Sequence, residues 1–175
     1  MRLRSRIAPP PAWSEAELAA RVLEDLAQSF HVEREVWGSH CSGRQLRIDA
    51  VLRPIDDSQW KDDEPVFGLE FKVPDLATTR DFTAWMAQAV DYTHVYWRGY
   101  GRLKVFMCPS PFMGLHDMEM PGLVCRLLGQ LGVGDLCQLP YRGWSLLLHD
   151  EVVWCQKDGP VKAKYWSIRS RVGSR

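Results

Sequence analysis

The chain has 175 residues, 46% of them apolar and 25% charged, an ordinary globular composition that supports one domain with a real core. Its 22 basic and 22 acidic residues cancel, which argues against a uniformly basic nucleic-acid binder and requires any such affinity to come from segregated charge. The five cysteines, Cys41, Cys108, Cys125, Cys137 and Cys155, are widely spaced and form no CxxC pair, which fits a reduced, cytoplasmic chain and argues against a zinc knuckle.

Residues 1–12 read as a basic, proline-containing arm, with Arg2, Arg4 and Arg6 ahead of Pro9-Pro10-Pro11 and no apolar core of a signal peptide. No apolar run is long enough to span a membrane. A single domain is expected over 13–160, followed by a basic tail over 161–175. Ser14 with Glu17 forms a capping box. It predicts a helix over 15–30 whose Leu18, Val22, Leu26 and Phe30 make the buried stripe. A first strand is expected over 31–37, ended by Gly38-Ser39. A hairpin through Ser42-Gly43 leads to a second strand over 47–52. The loop at 56–64 carries Asp56, Asp57, Asp62, Asp63 and Glu64 against one lysine, Lys61, and reads as a solvated acidic loop. A third strand covers 66–72. Thr78 and Asp81 predict the start of a second helix reaching about residues 92–95, with Phe82, Trp85, Met86, Ala89 and Val90 on its apolar side. A strand over 103–108 follows, then a short helix over 122–134 stopped by Gly132 and Gly134, then strands over 144–148 and 152–155. Trp37, Trp85, Trp144 and Trp154 are expected in the core.

The second and third strands each hold a carboxylate inside an apolar run: Asp49 and Glu70. Side chains alternate faces along a strand. Phe67, Leu69 and Phe71 therefore share one face, and Gly68, Glu70 and Lys72 the other. Ile48, Ala50 and Leu52 likewise share a face, with Asp49 opposite. Pairing the two strands brings Asp49, Glu70 and Lys72 together. Two carboxylates about 4 Å apart repel by roughly 4 kcal/mol at an effective dielectric of about 20. A shared proton, a lysine or a divalent cation must offset that. The plainer alternative is a strand-end salt bridge. Charge buried without a partner is expensive, so such placement favours a chemical use.

Asp49, followed on the next strand by Glu70-Phe71-Lys72, resembles the signature of the PD-(D/E)xK nucleases, with Ile48 in the place of the proline. The expected order of helix, strand, strand with Asp, strand with Glu-x-Lys, helix and strand over about 14–108 resembles the αβββαβ core of that superfamily. Gln88-x-x-x-Tyr92 in the next helix resembles the QxxxY motif of the branch holding lambda exonuclease and RecB-type nuclease domains. The resemblance implies an α/β, restriction-endonuclease-like fold: a mixed central sheet flanked by helices, with a C-terminal extension of short helix and strands.

The activity implied is metal-dependent hydrolysis of DNA phosphodiester bonds, as exonuclease or endonuclease, with RNA left open. Asp49, Glu70 and the Phe71 carbonyl would hold Mg²⁺ or Mn²⁺, and Lys72 would orient the attacking water and stabilise charge on the phosphate. The family's first helix often adds a metal-site carboxylate. Glu17 is the first choice and Glu24 the reserve. Gln88 would hold metal-site water or substrate, and Tyr92 would contact the DNA strand. In the tail, Lys162, Lys164, Arg169 and Arg171 are available to phosphates, with Tyr165 and Trp166 available to stack on bases. The same analogy suggests phage or mobile-element recombination or repair, and either a homo-oligomer or a recombination or replication partner protein. The alternative is a catalytically inactive nucleic-acid-binding or protein-interaction module that keeps the fold.

Overall fold

A computed structural model describes residues 13–60, 64–73, 79–112 and 120–161. The arm at 1–12, Lys61, Asp62 and Asp63 of the acidic loop, the Thr78 cap, and the basic tail from Lys162 onward, with Lys164, Arg169 and Arg171, lie outside the described residues. So do the side chains of Asp81 and Phe82.

Helix α1 spans Glu15–Leu26 and opens with the expected box: Ser14 Oγ accepts from the Glu17 N–H while the Glu17 carboxylate accepts from the Ser14 N–H. Leu18, Val22 and Leu26 are buried along it. The helix stops four residues before the expected end, because Phe30 begins strand β1, Phe30–His40. Phe30 is nonetheless buried in the same cluster as Leu26. The helix end and the strand start face one core, and periodicity cannot separate the two. Strand β2, Gln45–Pro54, pairs antiparallel with β1 through the Gly43 turn, where φ is 86°. Strand β3, Phe67–Phe71, pairs antiparallel with β2.

Helix α2 runs Thr79–Thr93 and is followed at once by a short strand not expected from the sequence, β4, Val95–Trp97, which pairs with β1. Gly38 therefore does not end β1. A Cβ there would lie 2.5 Å from Val95 Cγ1 and 2.7 Å from the Trp97 ring, so glycine lets β4 close on β1. Strand β5, Lys104–Cys108, and helix α3, Met120–Gln130, come next. The helix ends at Gln130 rather than at 134, and Val133 opens an unexpected strand, β6, Val133–Leu139. Gly132, with φ of 83°, does stop the helix, but Gly134 is a strand residue. β6 is buried on both faces, so the alternation that marks a half-exposed strand is missing. Strands β7, Gly143–Leu148, β8, Glu151–Cys155, and the short β9, Gly159–Pro160, complete the chain order.

The nine strands of the described residues form one mixed sheet in the order β4-β1-β2-β3-β5-β6-β7-β8-β9. The β3–β5 and β5–β6 pairs are parallel and the rest antiparallel. The architecture is therefore α/β, as expected. The sheet curls strongly. Six strand spacings separate β1 from β8, about 29 Å in a flat sheet. Yet the Phe30 and Trp154 rings stand 4.8 Å apart, and Trp144 Nε1 of β7 donates to Asp25 of α1 at 2.8 Å. One cluster lies within this curl, joining α1 to β1–β3 and β5–β8. A second lies on the opposite face beneath α2 and α3. Trp85, Trp144 and Trp154 are core residues as expected, whereas Trp37 is 50% exposed and Trp60 and Trp97 are buried instead. No described helix is long and apolar enough to cross a membrane.

A methyl group at Gly134 would overlap the Leu147 carbonyl oxygen and meet the Phe106 ring at 2.6 Å. Backbone on one side and a core ring on the other leave little room to yield. Gly134→Ala is expected to cost about 1–3 kcal/mol, read as a lowered urea midpoint. A variant as stable as the parent would contradict the close approach of β5, β6 and β7.

Candidate active site

The site forms where β2 and β3 part. Their ladder runs Leu52↔Phe67, Val51↔Gly68, Ala50↔Leu69 and ends there. One residue further, the Asp49 side chain takes over: its Oδ2 accepts the Phe71 N–H at 2.8 Å. A carboxylate thus fills the place of a backbone acceptor. The neighbouring strand is irregular at the same level. Glu35 of β1 lies between the Arg34↔Ala50 and Val36↔Ile48 pairs, opposite Asp49, with φ of 57°. That conformation is rare and strained for a residue with a Cβ.

The irregularity shifts which faces the side chains occupy. Ala50 and Leu52 join the cluster inside the curl, whereas Ile48 packs with Val51 on the α2 side. The expected shared face of Ile48, Ala50 and Leu52 is corrected here. Strict alternation fails across Asp49, and the failure turns its carboxylate toward the end of β3. In β3 the alternation holds: Phe67, Leu69 and Phe71 are in the inner cluster.

Glu70 is 5% exposed and faces α2. Its Oε1 accepts from Gln88 Nε2 at 3.0 Å. The same Nε2 donates to the Tyr92 hydroxyl at 2.9 Å, and that hydroxyl donates to the Arg47 carbonyl at 3.1 Å. The four-residue spacing places Gln88 and Tyr92 on one face of α2, and here that face meets the two carboxylate strands. Glu70 Oε2 is buried and has no hydrogen-bond partner among the described residues. Burial pushes the Glu70 carboxyl up to about 8, and the nearby Asp49 charge pushes the same way while Lys72 opposes. The Tyr92 hydroxyl is raised too, by burial first and by the Glu70 charge second.

Lys72 leaves the end of β3, where its N–H donates to the Cys108 carbonyl at 2.9 Å. Its Nζ lies 3.9 Å from Glu15 Oε2, with both side chains about half exposed. Glu15 is the carboxylate that α1 directs to the site, and Glu17 is not. The Glu17 carboxylate closes the capping box through 2.8 Å bonds to the Ser14 N–H and hydroxyl. Those Ser14 bonds hold its carboxyl below the usual range. Glu24 lies one helical heptad further on and is exposed. The signal for Glu15 was present in the sequence: a box uses up its third helical residue, so the first-turn acid still free to point elsewhere is the one next to the cap.

The structure therefore brings together Asp49, Glu70, Gln88 and Tyr92, with Lys72 and Glu15 at the mouth. Among the described residues no group of three or more His, Cys, Asp and Glu side chains stands as a ready metal cluster. The residues nonetheless fit a hard cation that keeps most of its waters. The donors would be oxygens from Asp49, Glu70 and the Phe71 carbonyl. The orphaned Oε2 and the raised Glu70 carboxyl mark a place where positive charge is wanted. Comparisons with family models, with curated proteins and with solved structures each find no match for the chain.

The Glu70 carboxyl holds its proton to about pH 8 in the fold, against an ordinary value of 4.5. Between those values the folded state binds more protons than the unfolded one. Stability therefore falls as pH rises through that window and is lowest above it. Glu70→Gln removes this penalty. In EDTA, the melting temperature of the variant is expected to gain steadily on the parent from about pH 5 to about pH 8.5. A constant difference across that range would contradict the buried carboxyl.

Proposed function

We propose that the chain is a divalent-metal-dependent nuclease that hydrolyses DNA phosphodiester bonds on a restriction-endonuclease-like fold of the PD-(D/E)xK class. The observation that carries this reading is the buried Glu70 carboxylate. It sits beside Asp49 with one oxygen orphaned and the other held by the Gln88–Tyr92 pair. The element order supports it: α1, β1, β2 with Asp49, β3 with Glu70-Phe71-Lys72, α2 with Gln88 and Tyr92, then β5, with only the three-residue β4 interposed.

Asp49, Glu70 and the Phe71 carbonyl would hold Mg²⁺ or Mn²⁺. When bound, the cation supplies Lewis acidity that lowers the pKa of water and steadies charge on the phosphate. Lys72 stands at the mouth, where its ammonium orients the attacking water and balances the added negative charge of the transition state. Gln88 fixes Glu70 by donating to Oε1. Tyr92 fixes Gln88 and ties α2 to β2 through the Arg47 carbonyl. The apolar cluster around Glu70 excludes bulk water and strengthens each of these interactions.

DNA is the proposed substrate and RNA the competing one. The five cysteines are free thiols, which fits a cytoplasmic setting. A second copy of the chain, or a recombination or replication protein of phage or mobile-element type, is the proposed class of partner. The second reading, an inactive binding module, draws on one contact: Lys72 faces Glu15. An exposed pair of this kind is worth about 0–1 kcal/mol, too little to hold the lysine away from a phosphate.

Linear, circular and single-stranded DNA incubated in Mn²⁺ test the proposal. The parent should cut, and Asp49→Ala and Lys72→Ala should be slower by about 100-fold or more. Preference for linear over circular substrate would mark an exonuclease. A parent as inert as both variants would overturn the nuclease reading.

A further inference from the structure

The face of the sheet inside the curl is covered by α1 only toward the Phe30 end of β1. At the other end of β1 the alternation is clear. Val36, Val95 and Trp97 belong to the cluster under α2, so Trp37 and Tyr96, which alternate with them, point to the opposite face. Both are open there, Trp37 at 50% and Tyr96 at 60% exposure. Exposed rings grouped on one face, rather than scattered singly, mark a candidate interaction surface.

The register places these rings in a defined array. Trp37 stands opposite Arg47 of β2, and Gly38 opposite Trp97 of β4. Arg98 therefore follows on the other side of Trp37, and its N–H donates to the Trp37 carbonyl at 3.0 Å. In the next row Ser39 lies between Gln45 and Tyr96. The Arg47 guanidinium lies 6.0 Å from the Trp37 ring centre, and that of Arg102 lies 6.0 Å from the Tyr96 ring centre. One acid intrudes: Glu35 pairs with Arg47 at 3.2 Å. Arg98 and Arg102 are exposed beside the rings. In a chain of zero net charge this is the kind of segregated positive patch that nucleic-acid affinity requires.

We propose that Trp37 and Tyr96, with Arg47, Arg98 and Arg102, form a stacking platform for single-stranded nucleic acid. Open rings take the faces of unpaired bases, and guanidinium groups take the phosphates between them. A duplex hides its base faces and cannot use the rings this way. The platform lies near the Asp49 end of β2, on the face opposite Glu70 and α2. Arg47 lies two residues before Asp49 on β2, and its carbonyl receives the Tyr92 hydroxyl. Where the bound strand goes rests on the nuclease reading; that it binds does not.

The test is fluorescence anisotropy of labelled oligothymidylate about 12 nucleotides long, in EDTA so that nothing is cut. The full chain should bind it more tightly than a duplex of equal length. Trp37→Ala and Tyr96→Ala should each weaken binding by about tenfold, and Trp37→Phe should keep most of it. Arg98→Glu with Arg102→Glu should weaken binding and flatten its salt dependence. Should Trp37→Ala fail to fold, as read by circular dichroism, Tyr96→Ala on the edge strand decides alone. Equal binding by parent and ring variants, or a preference for duplex, overturns the platform, as does a chain that binds neither. Ring-dependent binding in a parent that never cuts DNA upholds the platform and removes the nuclease reading. Cutting without ring dependence does the reverse.

Discussion

The site is organised around one buried acid. Glu70 lies in a five-residue strand whose every residue is buried, and water reaches almost none of it. Desolvation and the Asp49 charge both press it toward the neutral form. The Lys72 charge opposes this, and Gln88 holds one oxygen. In a fold built for stability alone, an apolar residue of similar size would serve better there. The cost is intelligible if a cation supplies the missing positive charge.

The second constraint is the parting of β2 from β3. A regular antiparallel pair would satisfy Phe71 with a backbone carbonyl. Here the Asp49 side chain does so, and the ladder ends one residue earlier. The left-handed turn of Glu35 in the adjacent strand falls at the same level. Together they interrupt the alternation of both strands, since Val32 packs with the inner cluster and Val36 with the outer one. The interruption turns Asp49 toward Glu70 without breaking the apolar packing on either side. The long curl then closes the inner cluster by bringing Trp154 onto Phe30.

Legibility in the sequence followed the range of the interaction. Asp49, Glu70 and Lys72 were readable because each carboxylate interrupts a short apolar run. Gln88 and Tyr92 were readable because helical spacing puts them on one face. The capping box is readable too, and it ties up Glu17, the first choice for the helix carboxylate, while leaving Glu15 free to face Lys72. Beyond that, distant contacts decide. β4 exists because Gly38 lets it approach. β6 carries no alternation because both its faces are covered. Trp37 reads as a core residue by composition but lies past the reach of α1. The shift at Asp49 is set by a strained residue in a neighbouring strand, and no pattern within β2 announces it.

Asp49 and Glu70 are proposed to share a divalent cation. Titration of the protein with Mn²⁺, followed by the electron paramagnetic resonance signal of the free ion, tests it most directly. Saturable uptake of one or two ions per chain is expected near pH 8, abolished in Asp49→Ala and in Glu70→Gln and displaced by Mg²⁺. Uptake unchanged by both substitutions, or no uptake by the parent, would contradict it. Glu70 would then be a buried acid without a metal.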